Sequence, residues 1–268
     1  MVSRQQAHLR NGRGPLVRWV TAVLIAAPLI TLASPALAQD SFAPSREYDA
    51  CIAMAMQEPE YAFERAIAWR DLGGGEAAEH CVAVALYGLG HFGEAAMRLE
   101  DLASGPLGGN DMLRVALLGQ AGNAWMMTGE NERAYAALTT GLEIEPENVE
   151  LLIDRSLARA ELDDMWGAVD DLNMVLDIEP RHVNALVFRA SAYRYLGSLE
   201  LAADDANRAL AMNPDHVAAY LERGNVRRLQ GDDVGARDDW IAVLRRAPQS
   251  PAAEAARHNL ERLDVDVD

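Results

Sequence analysis

The residues of this 268-residue chain that could do chemistry are two cysteines, a glycine triplet, three aspartate pairs and a few histidines. Cys51 and Cys81 are the only cysteines. In an oxidising compartment a structural disulfide is their expected state; closing a loop of about 30 residues stabilises by ~3–4 kcal/mol on a chain-entropy argument. Two buried free thiols are the alternative, and a dithiol redox site lacks its Cys-x-x-Cys signature. His80 adjoins Cys81, but two cysteines and scattered histidines make no ligand set at a metal-binding spacing, so no metal is expected. Gly88-Leu89-Gly90-His91-Phe92-Gly93 matches G-x-G-x-x-G, which cradles pyrophosphate when it follows a strand and opens a helix. Here helical runs flank it on both sides, Ala77 to Leu86 and Glu94 to Leu102, so it reads as an inter-helix turn and implies no cofactor.

Asp170-Asp171, Asp204-Asp205 and Asp238-Asp239 could serve as paired acid–base carboxylates. They recur, however, in step with Arg155, Arg189 and Arg223, each arginine lying 16 residues before the second aspartate. Three copies at one period predict a structural ladder of arginine on one helix and aspartate on the next. His182 and His216 share one place in successive segments, where Asn148 stands in the segment before, which favours a helix-start role over catalysis. Asp264, Asp266 and Asp268 open like a calcium loop without the Gly and Glu such a loop needs, and read as a solvated acidic tail (264–268). No His-Glu-x-x-His, nucleophile elbow or Walker motif occurs, so no catalysis is expected.

The N-terminus carries Arg4, Arg10, Arg13 and Arg18 ahead of an apolar run from Trp19 to Leu32, then Ser34-Pro35-Ala36-Leu37-Ala38. This predicts a secretory signal peptide over residues 1–38, cut between Ala38 and Gln39, and a periplasmic mature chain; an uncleaved membrane anchor is the alternative. Gln39, in place of a cysteine, gives no lipoprotein acceptor. Removing four arginines and no acid takes the formal charge from −17 to −21 (−17 − 4). A surface so acidic repels phosphate backbones and anionic membranes, so neither nucleic acid nor a membrane is an expected partner of the mature chain. All 24 Lys and Arg residues are arginine.

The elements that hold these residues follow from one repeat. Pro146, Pro180, Pro214 and Pro248 are spaced by 34, 34 and 34 residues, and Ala134, Ala168, Ala202 and Ala236 recur in the same register. Gly129, Gly197 and Gly231 mark a turn ahead of three of those alanines. Between landmarks the apolar residues fall at helical spacing, as in Leu186, Ala190, Tyr193 and then Ala202, Ala206, Ala209, Leu210. A unit of this length with glycine at mid-repeat, a small residue after it and proline at its end resembles the tetratricopeptide repeat (TPR). The resemblance implies an all-α, right-handed superhelical solenoid of antiparallel helix pairs. It divides the chain into a linker and degenerate hairpin acting as a cap (39–75), an array (76–114, 115–148, 149–182, 183–216, 217–250) and a C-terminal capping helix (251–263). The first array unit is five residues over the period, a surplus assigned to Ser104–Asn110 as a protruding Gly-rich loop. Cys51 and Cys81 then fall on the first helices of neighbouring hairpins.

In such arrays the first helix of each pair lines a concave groove. Carried onto this chain, the groove-facing residues include Asn123, Met127, Leu157, Phe188, Ser191, Tyr195 and Asn225, along with Gln120, Met126, Ile153, Asp154, Arg194, Leu221 and Glu222. The mixture of aromatic, Met and Arg residues is what protein interfaces enrich. Relatives that hold acidic C-terminal tails use a basic clamp; the matching places here are Gly119, Asn123, Ile153 and Leu157, so that activity is not expected. The resemblance therefore implies a periplasmic scaffold or adaptor that binds a protein or extended peptide, in envelope biogenesis or assembly. A self-associating module and a small-molecule-binding accessory subunit are the alternatives.

Overall fold

The computed structural model describes residues 46–265. The signal peptide expected over 1–38, residues 39–45 and tail residues 266–268 lie outside the described residues. Within them the chain forms α-helices α1 (Arg46–Ala55), α2 (Pro59–Trp69), α3 (Gly75–Gly88), α4 (Phe92–Ser104), α5 (Asp111–Thr128), α6 (Asn131–Ile144), α7 (Val149–Glu161), α8 (Met165–Ile178), α9 (Val183–Tyr195), α10 (Leu199–Met212), α11 (Val217–Leu229), α12 (Asp233–Arg246) and α13 (Pro251–Val265), and no strand. Each helix packs on the next in sequence, and α5 on α7 and α9 on α11. The odd-numbered helices from α3 to α11 are the first members (A helices) of the pairs.

Local chemistry sets the ends of these helices. The A helices α7, α9 and α11 begin on side chains that accept a hydrogen bond from an otherwise unpartnered first-turn N–H: Asn148 from Leu151 (3.0 Å), His182 Nδ1 from Ala185 (3.0 Å) and His216 Nδ1 from Ala219 (3.2 Å). The histidines thus cap helices, as their register implied. A to B turns need one residue in the left-handed region. Gly90, Gly129, Gly197 and Gly231 supply it at φ 75–83°, and in the remaining pair Asp163 takes the same place at φ 63°.

The surplus of the first array unit does not protrude as a loop. Asn110 caps α5 by accepting from Leu113 N, so α5 starts four residues ahead of the register set by Val149, and most of the surplus is an added helical turn. The remaining residues fold as a 3-10 turn, Pro106–Gly109, tucked so tightly against α4 that a Cβ at Gly108 would lie 1.9 Å from the Ala103 carbonyl oxygen.

The core runs between the two helix layers. Residues eight places into each A helix's register oppose residues sixteen further on, and their volumes are reciprocal: Gly122 meets Leu138, Gly224 meets the indole of Trp240, while Ala190 stands across from Ala206. The arginine ladder is formed. Arg155 chelates Asp171 (3.0 and 2.6 Å), Arg189 chelates Asp205 (2.7 and 2.8 Å) and Arg223 chelates Asp239 (2.9 and 2.7 Å). The third nitrogen of each guanidinium reaches back to helix B of the preceding pair, to Thr139 (3.5 Å), Asn173 (2.7 Å) and Asn207 (3.1 Å). Each rung therefore ties three helices, using the fork of donors that distinguishes arginine from lysine. At the N-terminal end, the expected disulfide joins Cys51 on α1 to Cys81 on α3, Cα to Cα 6.1 Å.

Candidate functional site

The A helices present one continuous face, and polar side chains cross it from helix to helix. At its N-terminal end His80 on α3 lies between Tyr48 Oη (2.7 Å from Nδ1) on α1 and Gln120 Oε1 (2.9 Å from Nε2) on α5. Because Gln120 offers an acceptor, Nε2 carries the proton and Nδ1 accepts from the phenol. Burial lowers the His80 pKa, against the opposing Gln120 bond, and raises the Tyr48 phenol to about 12, with Asp49 adding to the rise. A buried neutral histidine satisfied on both nitrogens is a structural link, whatever its nearness to Cys81 suggested.

Next along the face, Asn123 Nδ2 on α5 donates to Asp154 Oδ2 on α7 at 2.9 Å. Burial pushes the Asp154 carboxyl up to about 7; the Asn123 bond opposes the rise and the Glu150 charge adds to it. Tyr87 on α3 is near enough that the Asp154 charge contributes, after burial, to raising its phenol. Beyond Asp154 the face turns apolar: Leu157 on α7 is half-buried, and Phe188 on α9 packs its inner side on the core. Polar rungs then resume. Arg194 on α9 chelates Glu222 on α11 (Nε to Oε1 2.5 Å, Nη2 to Oε2 3.3 Å), donates to Ser191 Oγ at 3.2 Å, and lies 4.3 Å from the ring centroid of Tyr195. At the C-terminal end Asn225 Oδ1 accepts from Trp240 Nε1 (3.3 Å) and Asn259 Nδ2 (2.9 Å), fastening α11 to α12 and α13.

The structure thus places Asn123, Met127, Leu157, Phe188, Ser191, Tyr195 and Asn225 on helices α5, α7, α9 and α11. Asn123, Ser191 and Asn225 are committed to bonds within the fold, Leu157 and Phe188 are partly covered, and Tyr195 is half exposed. Sequence reading misses Tyr87, which aligning the first array unit on its turn glycine, Gly90, would put beside Met126 in register. It also leaves unpaired Arg194 and Glu222, whose spacing of 28 residues brings one A helix's last turn to the next one's second. Among the described residues, no group of three or more His, Cys, Asp or Glu is arranged to hold a metal. No helix of the described residues is long and apolar enough to cross a membrane.

Stacked antiparallel helix pairs with one face of first helices define an α-solenoid. No family model matches the chain, and neither does any curated protein. Solved structures do match. TTC0263, a thermophilic TPR protein of Thermus thermophilus, is 19% identical, covers 69% of this chain and 100% of its own, and superposes with a TM-score of 0.55. MamA (41-end) of Desulfovibrio magneticus RS-1 is 18% identical, covering 73% and 99%, TM-score 0.55. YrrB, described as a TPR protein with an unusual peptide-binding site, is 14% identical, covering 75% and 98%, TM-score 0.53. The chain therefore has the fold of the tetratricopeptide-repeat proteins.

Proposed function

We propose that the chain is a non-catalytic scaffold that binds a protein or extended peptide along its A-helix face. The observation that carries this reading is the half-covered apolar stretch of Leu157 and Phe188, bounded by Asp154 on one side and by Tyr195 with the Arg194–Glu222 pair on the other. A core-only role would bury it, and an idle solvent face would be polar. YrrB, which shares the fold, has a peptide-binding site, which makes the same use of this fold reasonable. Export to the periplasm and work in envelope assembly belong to the proposal as well; the N-terminal charged and apolar segments support them, and the Cys51–Cys81 bond suits an oxidising compartment.

The test is capture from periplasmic extract by wild type and by a Phe188→Ala/Tyr195→Ala variant of equal helicity. A protein held by the first and lost by the second supports the reading; identical capture by both refutes it. Sequencing the N-terminus of the secreted form checks the cut at Gln39. A second reading, self-association, is favoured by Trp166 (60% exposed), Leu201 (51%) and Val234 (75%), at the starts of successive B helices. Light scattering whose mass rises with concentration and falls on Trp166→Glu supports it, and a mass independent of both refutes it.

A further inference from the structure

The A-helix face contains its own example of how it holds a guanidinium. In the later repeats, Glu222 receives Arg194, Ser191 accepts from the same arginine, and the Tyr195 ring lies beneath it. Moving back two repeats, 68 residues, converts Glu222 to Asp154, Ser191 to Asn123, Tyr195 to Met127 and Arg194 to Met126. The carboxylate and its polar neighbour are kept, and the arginine is replaced by a thioether.

Charge pairing elsewhere makes the contrast sharper. Asp171, Asp205, Asp239 and Glu222 are 1–3% exposed, and each touches an arginine. Asp154 has Asn123 as its hydrogen-bond donor and no arginine or lysine within ion-pair distance among the described residues. Asp154 is partly covered, open on one side to the A-helix face, and a carboxylate drawn that far out of water without a cation beside it is held against its preference. Its surroundings otherwise suit a cation: the Tyr87 phenol is close enough to feel its charge, Leu157 follows one turn later on α7, and Phe188 holds the matching register place on α9 for the rest of a peptide.

Resting on the scaffold reading, we propose that Asp154 is the acceptor for an arginine or lysine side chain of the bound partner. That side chain is presented by an extended segment whose neighbouring apolar residue packs on Leu157 and Phe188. The partner's cation takes the role at Asp154 that Arg194 takes at Glu222. An acidic peptide would instead meet Asp154 and the exposed Glu150 with like charge.

The probe is a set of acetylated, amidated decapeptide pools, random except for one central position fixed as arginine, lysine, citrulline or norleucine, passed over the immobilised full chain. Citrulline keeps arginine's shape and removes its charge. We expect arginine and lysine pools to be retained roughly tenfold over the two neutral pools, a preference that Asp154→Asn reduces to within about twofold. Met126→Arg, which supplies the internal arginine at the corresponding place, should remove the preference while leaving the carboxylate present. Glu132→Gln, which removes one charge from exposed surface, should leave it intact. A preference absent from wild type, or one surviving both Asp154→Asn and Met126→Arg, overturns the proposal; the second result means a general attraction to an acidic chain. If pools are retained without regard to charge and lost on Phe188→Ala/Tyr195→Ala, the scaffold reading stands and the cation proposal falls. If that double variant retains every pool as wild type does, the groove reading itself fails.

Discussion

Replacing Arg189 by methionine tests whether the ladder carries stability. The side chain donates two bonds to Asp205 and one to Asn173, and lies at 15% exposure against 3% for the carboxylate. Removing it leaves Asp205 in the interlayer with Arg208, a 42% exposed neighbour at 3.1 Å, as its remaining cation. Breaking a buried pair on one side costs ~3–5 kcal/mol, and the retained Arg208 contact brings the expectation here to about 2–4 kcal/mol. Asp205→Leu added to Arg189→Met should recover most of that loss, because the cost comes from the orphaned carboxylate and not from the absence of an ion pair. Asp215→Asn, at an 89% exposed partner of Arg246, should change stability by about 0.5 kcal/mol or less. Urea unfolding followed by far-UV circular dichroism reads all three. Since Arg189 joins α8, α9 and α10, the single variant should also broaden the transition as the pairs uncouple. Wild-type unfolding by Arg189→Met would falsify the ladder, and a double variant as weak as the single would assign the effect to the arginine stem's packing.

Asp154→Asn should stabilise the fold in a pH-dependent way. With its carboxyl at about 7 in the fold against 3.8 ordinarily, Asp154 favours folding most below 3.8; that contribution declines as pH rises through 7, by on the order of 4 kcal/mol. The variant's melting temperature should therefore exceed wild type's by on the order of 10 °C at about pH 8 and approach it near pH 4; an offset independent of pH contradicts the burial argument. Asp163→Gly should add roughly 0.5–1 kcal/mol in urea unfolding by relieving a left-handed non-glycine, and a loss there would show that the aspartate side chain is needed. Gly224→Ala should cost about 1–3 kcal/mol in the same assay, since its Cβ would come within 2.6 Å of the Trp240 ring nitrogen; a neutral outcome would mean that the ring shifts freely.

Features that recur are readable from sequence, and features that occur once are not. The proline and alanine columns give the helix pairs, and three matched Arg and Asp positions give the ladder without its third contact, because Thr139, Asn173 and Asn207 differ enough to hide their common place. His182 and His216 read as helix starts because Asn148 stands in register with them. The α5 extension escapes the sequence reading although Asn110-Asp111 carries a helix-start signal, because the neighbouring glycines argue more strongly for a loop. The contacts of Asp154 with Asn123 and of Arg194 with Glu222 join different repeats and each occurs once, so no period announces them. They become visible only when two repeats are laid over one another in space.

The covalent tie between α1 and α3 has a mechanical side. Under tension applied at its two ends, a solenoid releases chain one hairpin at a time from its weaker end. The loop closed by Cys51 and Cys81, a sequence separation of 30, cannot lengthen while the sulfur bond holds, so about 100 Å of contour stays withheld. Extension must then come from the chain outside that loop, from α4 to α13, and the N-terminal hairpin holds its length while the rest is drawn out.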